Sequence, residues 1–438
     1  MKGCFDMAPR ILIVGTVPYD RQMTSRAFDS YFHTWDQNDL AQIFSNPLEP
    51  LKGHCGTLYQ ITDEMMLNCR RKKTTQPGSI YNYDDLKTVR ESNSGSKNGL
   101  VGKLYDFGKR KFPINYLLRG LLWKKKYWCT DKLLKWADDF APDCVFLAFS
   151  DDFFIPQIAL FFAERYDVPI ISCIGDDYYF NDRFSVSPFY HIYRKRYKKL
   201  IDRVFAHGGS AAYIGDKIRD KYNSEFGLDG ETVYLTSEFE RQPFRFVRAE
   251  APKILYCGNI RLGRNKSLMD IAGALSEIDP SYKLTVYSNE SVEKYYKELK
   301  DAPNVDYRGT VPYETVMSET ADSDIVTVVE GFDKKDVDIT RYSLSTKVAD
   351  SLASGRFVLG YGSPECGAIE YLLKNNCGLT CTSYEELRQK LPLIINDVSF
   401  QKQAYEISER VSHEHHTLKK SNAVFEELVN KAIRNYEK

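Results

Sequence analysis

The chain has 438 residues, of which 43% are hydrophobic and 27% are charged, and its 60 basic and 60 acidic residues cancel. This composition excludes an intrinsically disordered chain, and the length favours two or three domains. The balanced charge identifies no partner by itself, so any basic binding surface must be local.

Ten cysteines are scattered along the chain without a C-x-x-C pair, a spacing that predicts neither a zinc site nor a disulfide framework. Cys144, Cys173 and Cys257 lie inside apolar runs typical of buried strands. Free buried thiols fit a reducing compartment, so we expect a cytoplasmic protein. No run of about 18 apolar residues occurs, so we expect no membrane-spanning helix.

Short apolar runs alternate with helical patterns along the first half, which is typical of a parallel α/β sheet. The predicted strands are residues 11–15, 144–149, 168–175 and 203–208. The predicted helices are residues 155–165, 190–201 and 211–222. Between them, residues 64–100 are polar and irregular, and we predict a flexible insertion there.

The loop after the first predicted strand, residues 15–24, would border a ligand-binding cleft. Thr16 and Arg21 are its candidates for contact with a ligand. An ordinary turn between a strand and a helix is an equally good interpretation.

Acidic pairs follow two predicted strands of the first half. For Asp151 and Asp152, helix caps and solvated turns are the better interpretation. Asp176 and Asp177 precede an aromatic pair that begins at Tyr178 and would suit the face of a sugar. Asp176 is therefore a candidate catalytic residue that would orient a substrate hydroxyl or act as a base, with a structural role as the alternative.

A basic and aromatic segment spans residues 103–136, with ten Lys or Arg, two Asp and three of the four tryptophans of the chain. Such a segment could rest on an anionic membrane, with aromatic rings at the depth of the lipid headgroups. The alternative is a helix whose Trp and Leu stripe packs on the first domain while its lysines face water.

Residues 242–252 are polar and carry a proline near each end, and we predict a linker there. A second α/β series follows. Its predicted strands are residues 253–259, 282–288, 304–309, 324–330 and 356–362. Its predicted helices are residues 266–278, 313–321 and 345–353, with a long final helix over 400–436.

The second series begins with a glycine and a basic loop between a strand and a helix. Gly258 permits close approach of the backbone, and Arg261, Arg264 and Lys266 could hold a pyrophosphate at the helix N-terminus. A solvated basic turn is the alternative. No G-x-G-x-x-G motif occurs here or after the first strand, which argues against a nicotinamide cofactor.

A second candidate site lies on the helix predicted over 345–353. Lys347 and Asp350 are three residues apart and therefore share one helical face, where a cation and a carboxylate could hold phosphate and ribose. A surface ion pair between the two is the alternative. The D-x-D of Asp322 and Asp324 stands at a helix–strand junction, and we interpret it as structural.

With these motifs in place, residues 253–372 resemble the donor domain of glycosyltransferase family 4, which has the GT-B fold. The strand, glycine and basic loop at 258–266 are the first matching element. An F-x-G-x-V-P-like element at 307–316 is the second. An S-K-x-x-E-Y-x-A-x-G-x-P-V-like element at 345–358 is the third.

The resemblance implies an α/β protein of GT-B architecture, with two Rossmann-like domains facing across a cleft. The expected domains are an acceptor domain over 9–245 with an insertion at about 60–136, a donor domain over 252–397, and a helical segment over 398–438. The implied activity is sugar transfer from a nucleotide-diphosphate sugar to a glycan or lipid-linked acceptor, with retention of configuration. The implied protein needs no metal or other cofactor and no nucleic acid.

By the same resemblance, Arg261 and Lys266 would neutralise the leaving diphosphate, and Asp350 stands where the family has a ribose-binding glutamate. The other implied donor-binding residues are Gly15, Gly258, Arg264, Tyr307, Gly309, Val311, Ser345, Thr346 and Lys347. Tyr342 replaces the first glutamate of the family, and the loop over 330–340 could substitute for it. A nucleotide-sugar-binding scaffold and a sugar epimerase of the same fold are the alternative functions.

Overall fold

A computed structural model describes residues 8–20, 25–72, 76–89, 113–182, 184–247, 250 and 252–437. The chain forms two compact units. The first comprises Met1–Val233 and Asn422–Lys438, and the second comprises Tyr234–Ser421.

The first unit is built on an eight-stranded sheet. Its strands are β1 (Ile11–Val14), β2 (Leu40–Phe44), β3 (Thr57–Gln60), β4 (Ser79–Asn82), β5 (Cys144–Ala148), β6 (Ile170–Ile174), β7 (Gly209–Tyr213) and β8 (Glu231–Thr232). Their order is β4-β3-β2-β1-β5-β6-β7-β8, and every neighbouring pair is parallel except β3 and β4. The central strand β1 is wholly buried, which is why it reads as an unbroken apolar run.

The second unit is built on a six-stranded sheet whose neighbouring strands are all parallel. Its strands are β9 (Ile254–Cys257), β10 (Leu284–Tyr287), β11 (Val305–Gly309), β12 (Ile325–Val329), β13 (Phe357–Tyr361) and β14 (Leu379–Cys381). Their order is β11-β10-β9-β12-β13-β14. The chain winds outward in one direction from β9 and in the other from β12, so the topological switch point lies between these two strands.

Helices cover the sheets. Those of the first half are α1 (Ser25–Phe32), α2 (Asp63–Lys72), α3 (Pro113–Leu122), α4 (Lys125–Trp128), α5 (Asp131–Phe140), α6 (Phe154–Tyr166), α7 (Pro188–His207) and α8 (Asp216–Phe226). Those of the second half are α9 (Arg264–Ile278), α10 (Glu293–Asp301), α11 (Tyr313–Asp322), α12 (Lys334–Thr340), α13 (Thr346–Ala353), α14 (Gly367–Asn375), α15 (Tyr384–Asn396), α16 (Val398–His415) and α17 (Leu418–Tyr436).

One predicted strand is wrong. Residues 203–208 form the end of α7, and the strand begins only at Gly209. Leu200, Ile201 and Val204 are buried at helical spacing, and a short apolar run does not distinguish a strand from the buried face of a helix. The error also displaced the next helix, so the predicted helix over 211–222 is largely divided between β7 and α8.

Other predicted boundaries also change. The predicted helix over 400–436 is two helices, α16 and α17, with a break after His415. Within the insertion predicted over 64–100, α2 continues to Lys72 and β4 adds an edge strand, while residues 73–75 and 90–100 lie outside the described residues. Residues 242–247, predicted as linker, bond to the second unit, since Gln242 N–H donates to Ser354 O at 3.0 Å.

Candidate functional site

The candidate site of the second unit lies at the switch point of its sheet, where ligands bind in folds of this kind. Gly258 and Glu330 are the first residues beyond the carboxyl ends of the neighbouring strands β9 and β12. Lys347, from the first turn of α13, reaches the same place, because a Cβ atom on Gly258 would lie 2.2 Å from Lys347 Cε. The glycine at 258 is therefore what allows the lysine side chain to lie across the strand end.

The loop between β9 and α9 is held in an unusual backbone conformation. Leu262 and Gly263 both have positive φ angles, of 59° and 76°. The loop also packs tightly on the end of β12, since a Cβ atom on Gly331 would lie 2.4 Å from the Leu262 carbonyl oxygen. A glycine at 331 is thus required for the two loops to meet.

The first backbone N–H groups of α9 already have partners. Asn265 N–H donates to Ile260 O at 2.9 Å, and Lys266 N–H donates to Gly263 O at 3.1 Å. The sequence predicts that this helix end and the nearby cations bind a pyrophosphate together. In the structure the side-chain cations are the groups that remain to bind an anion.

Arg264 is the most enclosed cation of the loop, and it is paired. Its Nε and Nη2 donate to the two carboxylate oxygens of Glu330 at 3.0 and 2.9 Å. The two side chains are 11% and 4% exposed. Arg264 therefore anchors the loop to β12 rather than offering its charge freely to a ligand.

Glu330 was not assigned this role from the sequence. Two signals were present: it is the first residue after a buried strand, and the glycine that follows allows the tight loop contact. Only the broader loop over 330–340 was named. The pairing with Arg264 depends on the sheet order, which brings β12 beside β9 although about 70 residues separate them.

Lys347 lies at the centre of the site, where its amine is enclosed although the residue as a whole is half-buried. Its Nζ donates to Tyr256 Oη at 2.8 Å. Burial, with a smaller contribution from the Arg264 guanidinium, lowers the pKa of Lys347 to about 7. An anion binding beside this amine would favour its charged form and raise that pKa again.

The start of α13 is fixed by the predicted donor-binding residues. The Ser345 side chain caps the helix and accepts the Lys347 N–H at 3.3 Å, while Thr346 is exposed. Asp350 accepts a hydrogen bond from Ser237 Oγ at 2.8 Å. Lys347 and Asp350 line one small cavity of about 60 Å³, so the prediction that they share a helical face is consistent with their positions.

Arg261 and Lys266, predicted to face the leaving diphosphate, are exposed and each has an acidic partner. Arg261 Nη2 donates to Glu290 Oε1 at 2.8 Å, and this bond lowers the pKa of the Glu290 carboxyl to about 2. Lys266 Nζ lies 2.9 Å from Asp333 Oδ2. Both cations belong to the same loop and helix start as Gly258, but their present partners are carboxylates.

Tyr307, Gly309 and Val311, predicted to meet the base, lie on or just after the edge strand β11. Strand β10 stands between β11 and β9, so these residues are farther along the sheet from Gly258 than the cations are. Tyr307 stacks on Tyr296 with ring centroids 5.6 Å apart. Gly309 has a φ of 69° with open space where a side chain would be.

Gly15 marks the corresponding switch point of the first unit, between β1 and β5. A Cβ atom there would lie 3.1 Å from Ala148 Cβ, so the glycine serves close packing of the two strand ends. The Thr16 carbonyl accepts the Ser45 N–H at 3.3 Å. Arg21 lies outside the described residues.

The acidic pairs of the first unit separate into structural and exposed members. Asp177 is buried and accepts hydrogen bonds from Tyr222 Oη at 2.7 Å and Phe180 N–H at 2.8 Å. Its neighbour Asp176 is exposed. Asp152 pairs with Arg119 of α3, which agrees with a structural role. Asp176 belongs to the first unit, whereas the other predicted catalytic residues belong to the second.

The described part of the basic segment, residues 113–136, buries its tryptophans. Trp123 stacks on Phe154 at 3.8 Å between ring centroids, and Trp128 and Trp136 are also buried. These rings pack within the first unit, as the alternative interpretation expected of the tryptophans. The lysines at 124–126 are exposed, but so are Leu118 and Leu121 of the leucine stripe. Residues 103–112 lie outside the described residues.

No group of three or more His, Cys, Asp or Glu side chains is placed to hold a metal ion within the described ranges. In the same part of the chain, no helix combines the length and the apolar character needed to cross a membrane. Asp322 and Asp324, of the D-x-D sequence, pair with Lys253 and Arg245 respectively.

The sequence matches no protein-family model and no curated protein. Solved structures do match it along nearly its whole length. A glycosyltransferase from Rickettsia africae is 12% identical over 98% of this chain and 100% of its own, with a TM-score of 0.55. Anabaena HepE in complex with UDP-glucose is 10% identical over 96% and 99%, with a TM-score of 0.58.

Sucrose-phosphate synthase from Thermosynechococcus elongatus is 8% identical over 97% of this chain and 99% of its own, with a TM-score of 0.58. The fold is GT-B. The resemblance that residues 253–372 indicated is confirmed at the level of the fold, and it extends to both units. At identities this low the similarity establishes the architecture, and the chemistry must be argued from the site.

Proposed function

We propose that this GT-B protein is a glycosyltransferase that transfers a sugar from a nucleotide-diphosphate-sugar donor to a glycan or lipid-linked acceptor. The observation that carries the proposal is the placement of Gly258, Lys347 and the Arg264–Glu330 pair at the switch point of the second sheet. A polyanion would suit this strand end, because the Lys347 amine lies against Gly258 and the exposed Arg261 and Lys266 belong to the loop and helix start that follow it. The similar HepE structures hold UDP and UDP-glucose, which agrees with a donor of this class.

The proposed chemistry is stabilisation of the leaving diphosphate. Lys347 in its charged form, with Arg261 and Lys266 released from their carboxylate partners, would offset the charge that develops on the β-phosphate. Such side-chain cations replace a metal ion in this role, so we propose a metal-independent reaction. Retention of configuration and a hexosyl donor are part of the same proposal and rest on the family resemblance.

The two units would divide the substrates. The second unit, with Asp350 toward the ribose and the segment from Tyr307 to Val311 toward the base, is proposed as the donor domain. The first unit is proposed as the acceptor domain, where exposed Asp176 would orient or deprotonate an acceptor hydroxyl. We propose polysaccharide or glycan synthesis at the cytoplasmic face of a membrane as the setting, supported by the exposed lysines at 124–126.

The direct test is a panel of nucleotide-diphosphate sugars. Binding at 100 times the dissociation constant should stabilise the protein by roughly 2.7 kcal/mol, which a thermal-shift assay detects. Slow release of nucleoside diphosphate from the donor that binds would establish an enzyme rather than a scaffold. If no donor of the panel shifts the melting temperature, the donor proposal is wrong.

Chelation tests the metal-independent part. Donor hydrolysis should be unchanged in excess EDTA, because the cations of the site are side chains. The control is the same assay with added magnesium or manganese, which should not increase the rate. Loss of hydrolysis in EDTA with recovery on adding either metal would contradict this prediction.

A further inference from the structure

Helix α3 exposes apolar side chains that do not take part in its packing on the first unit. Ile114, Leu118 and Leu121 are exposed at helical spacing. The adjacent face of the helix is fixed to the first unit, since Arg119 Nε donates to Asp63 Oδ2 at 2.9 Å and Leu122 is buried. Burial of the core therefore does not explain the three exposed residues.

A second group of exposed apolar residues lies at the start of α7 and in the loop before it. Phe184 is 98% exposed and Val186 is 89% exposed. Phe189 and Ile192, three residues apart in the first turns of the helix, are exposed as well. Exposed aromatic and aliphatic side chains gathered in this way are typical of an interaction surface rather than of a solvated loop.

The helices that carry the two groups are neighbours. Tyr116 of α3 stacks on Tyr193 of α7 with ring centroids 4.5 Å apart, so the helices run side by side there. Both tyrosines also bond to Asp151, one to its carboxylate and the other to its carbonyl. We call the exposed apolar residues of this region the α3–α7 surface: Ile114, Leu118, Leu121, Phe184, Val186, Phe189 and Ile192.

The exposed charged residues around this surface are mostly basic. Beyond the end of α3, the lysines at 124–126 are exposed. Along α7, directly after Ile192, the exposed basic residues are Lys195, Arg196 and Lys199. Three acidic residues of the same region are exposed as well: Asp131, Asp182 and Asp202. Asp182 is paired with Arg194 and Lys198, and Asp202 accepts a hydrogen bond from Tyr179 Oη at 2.8 Å.

We propose that the α3–α7 surface docks on an anionic lipid bilayer, with its apolar side chains in the headgroup boundary and its basic residues against the lipid charge. Apolar side chains flanked by lysine and arginine are the combination that binds such an interface. A neutral protein partner would not need the basic rim, and a nucleic acid would not need the apolar centre.

This docking differs from the one that the sequence indicated. There the tryptophans of 103–136 were the anchors, whereas in the structure they are core residues and the anchors are Leu118, Phe184 and their neighbours. The loop that carries Phe184 leaves the carboxyl end of β6, as Asp176 does. A lipid-carried acceptor would thus arrive at the strand ends where the first unit is proposed to bind it, and this consequence alone rests on the proposed function.

Vesicle sedimentation with the full chain tests the docking without any turnover. The protein should sediment with phosphatidylcholine vesicles that contain phosphatidylglycerol, much less with phosphatidylcholine alone, and less as salt is raised. The double variants Leu118→Ser/Leu121→Ser and Phe184→Ser/Phe189→Ser should each lose most of the binding. Their melting temperatures should match the parent, because all four side chains are exposed.

Charge variants distinguish binding through the α3–α7 surface from an effect of the protein's net charge. Lys195→Glu/Arg196→Glu/Lys199→Glu should lower the apparent vesicle affinity by about tenfold or more. Lys402→Glu/Lys419→Glu/Lys420→Glu makes the same charge change at exposed positions of the second half and should leave binding unchanged. Equal losses in both variants, no sedimentation at low salt, or dimers that only the Phe184→Ser/Phe189→Ser variant dissociates would overturn the proposal. Donor-induced thermal shifts in these variants should persist, so a failed docking is distinguishable from a failed donor assignment.

Discussion

Six strands of the first sheet, β3-β2-β1-β5-β6-β7, follow the same order as the six strands of the second sheet, but the two units use their switch points differently. In the first unit, Gly15 lets β1 and β5 close against each other, and the nearby Asp152 is committed to Arg119. In the second unit, Gly258 leaves room for Lys347, and the adjacent strand end supplies Glu330 to hold Arg264. In both sheets, the glycine after the first strand therefore allows another group to lie close to the backbone. That group is an alanine at Gly15 and the charged side chain of Lys347 at Gly258.

This difference between the two switch points shows how an anion-binding site can arise in such a fold. The topology provides a strand-end position in both sheets, yet the charge is provided by residues far apart in sequence. In the second unit, the ion pair between Arg264 and Glu330 fixes the loop. Lys347 is not part of this pair, and its enclosed amine donates to a neutral hydroxyl group instead. If that division of roles is right, the variants below should affect stability, affinity and pH dependence separately.

The largest effect should come from breaking the buried pair. Arg264→Ala leaves Glu330 charged and buried, and loss of one partner of a buried pair costs about 3–5 kcal/mol of unfolding free energy. The control is Arg165→Ala in the first unit, whose partner Asp138 is exposed, and where about 0–1 kcal/mol is expected. Chemical denaturation followed by circular dichroism measures both. Similar losses in the two variants would mean that the pair does not organise the loop.

The two glycines give the next comparison. Gly258→Ala should displace Lys347 and weaken nucleoside diphosphate binding by about tenfold or more, the loss expected for a charge-assisted bond to phosphate. Gly15→Ala meets only Ala148 and should leave nucleotide affinity unchanged. Isothermal titration calorimetry with a nucleoside diphosphate measures both. A weaker affinity in Gly15→Ala, or an unchanged one in Gly258→Ala, would remove the distinction between the two switch points.

A smaller effect should appear as pH dependence. The pKa of Lys347 is about 7 in the folded protein and, in an unfolded chain, would be near the ordinary value of about 10.4. Between these values the folded protein binds fewer protons, so this group's contribution to stability rises with pH over that window. Diphosphate binding favours the charged amine and must take up a proton above pH 7, so affinity should fall as pH rises.

Calorimetry from pH 7 to about 9 measures this slope, since phosphate groups with a second pKa near 6 are already ionised there. The fall should approach about tenfold per pH unit. Lys347→Arg is the control, because a guanidinium stays charged throughout and should flatten the slope. The same slope in that variant would assign the proton to another group.

Much of the second unit could be predicted from sequence, because its buried parallel strands read as short apolar runs separated by helical patterns. The first unit was less readable. Strands β2 and β3 are not predicted from the sequence, and the apolar residues around Val204 predict a strand although they lie on α7. Local pattern alone does not show on which side of a helix or sheet such a run will be buried.

For the site, the sequence predicted the strand-end glycine and the cations but not their partners. Lys347 and Gly258 were both named, yet their contact joins elements about 90 residues apart and depends on the sheet order. The bond from Arg264 to Glu330 was missed for the same reason. Local motifs predict which residue types gather at a strand end, and the fold decides which of them neutralise one another.

The smallest effect should come from the exposed rim of the second switch point. Lys266 and Asp333 form an ion pair that is exposed to solvent, so Lys266→Gln should not change the melting temperature measurably. It should weaken nucleoside diphosphate binding only a few-fold, and the difference from the parent should vanish at high salt, because water and ions screen an exposed charge. Lys297→Gln is the matched control: Lys297 is an equally exposed lysine of the same unit, paired with Asp301 on α10. That variant should bind like the parent at every salt concentration. A loss of affinity in Lys266→Gln that persists at high salt would mean that Lys266 enters a desolvated contact with the phosphate when donor binds. Lys266 would then act in the complex as an enclosed cation, as Lys347 does.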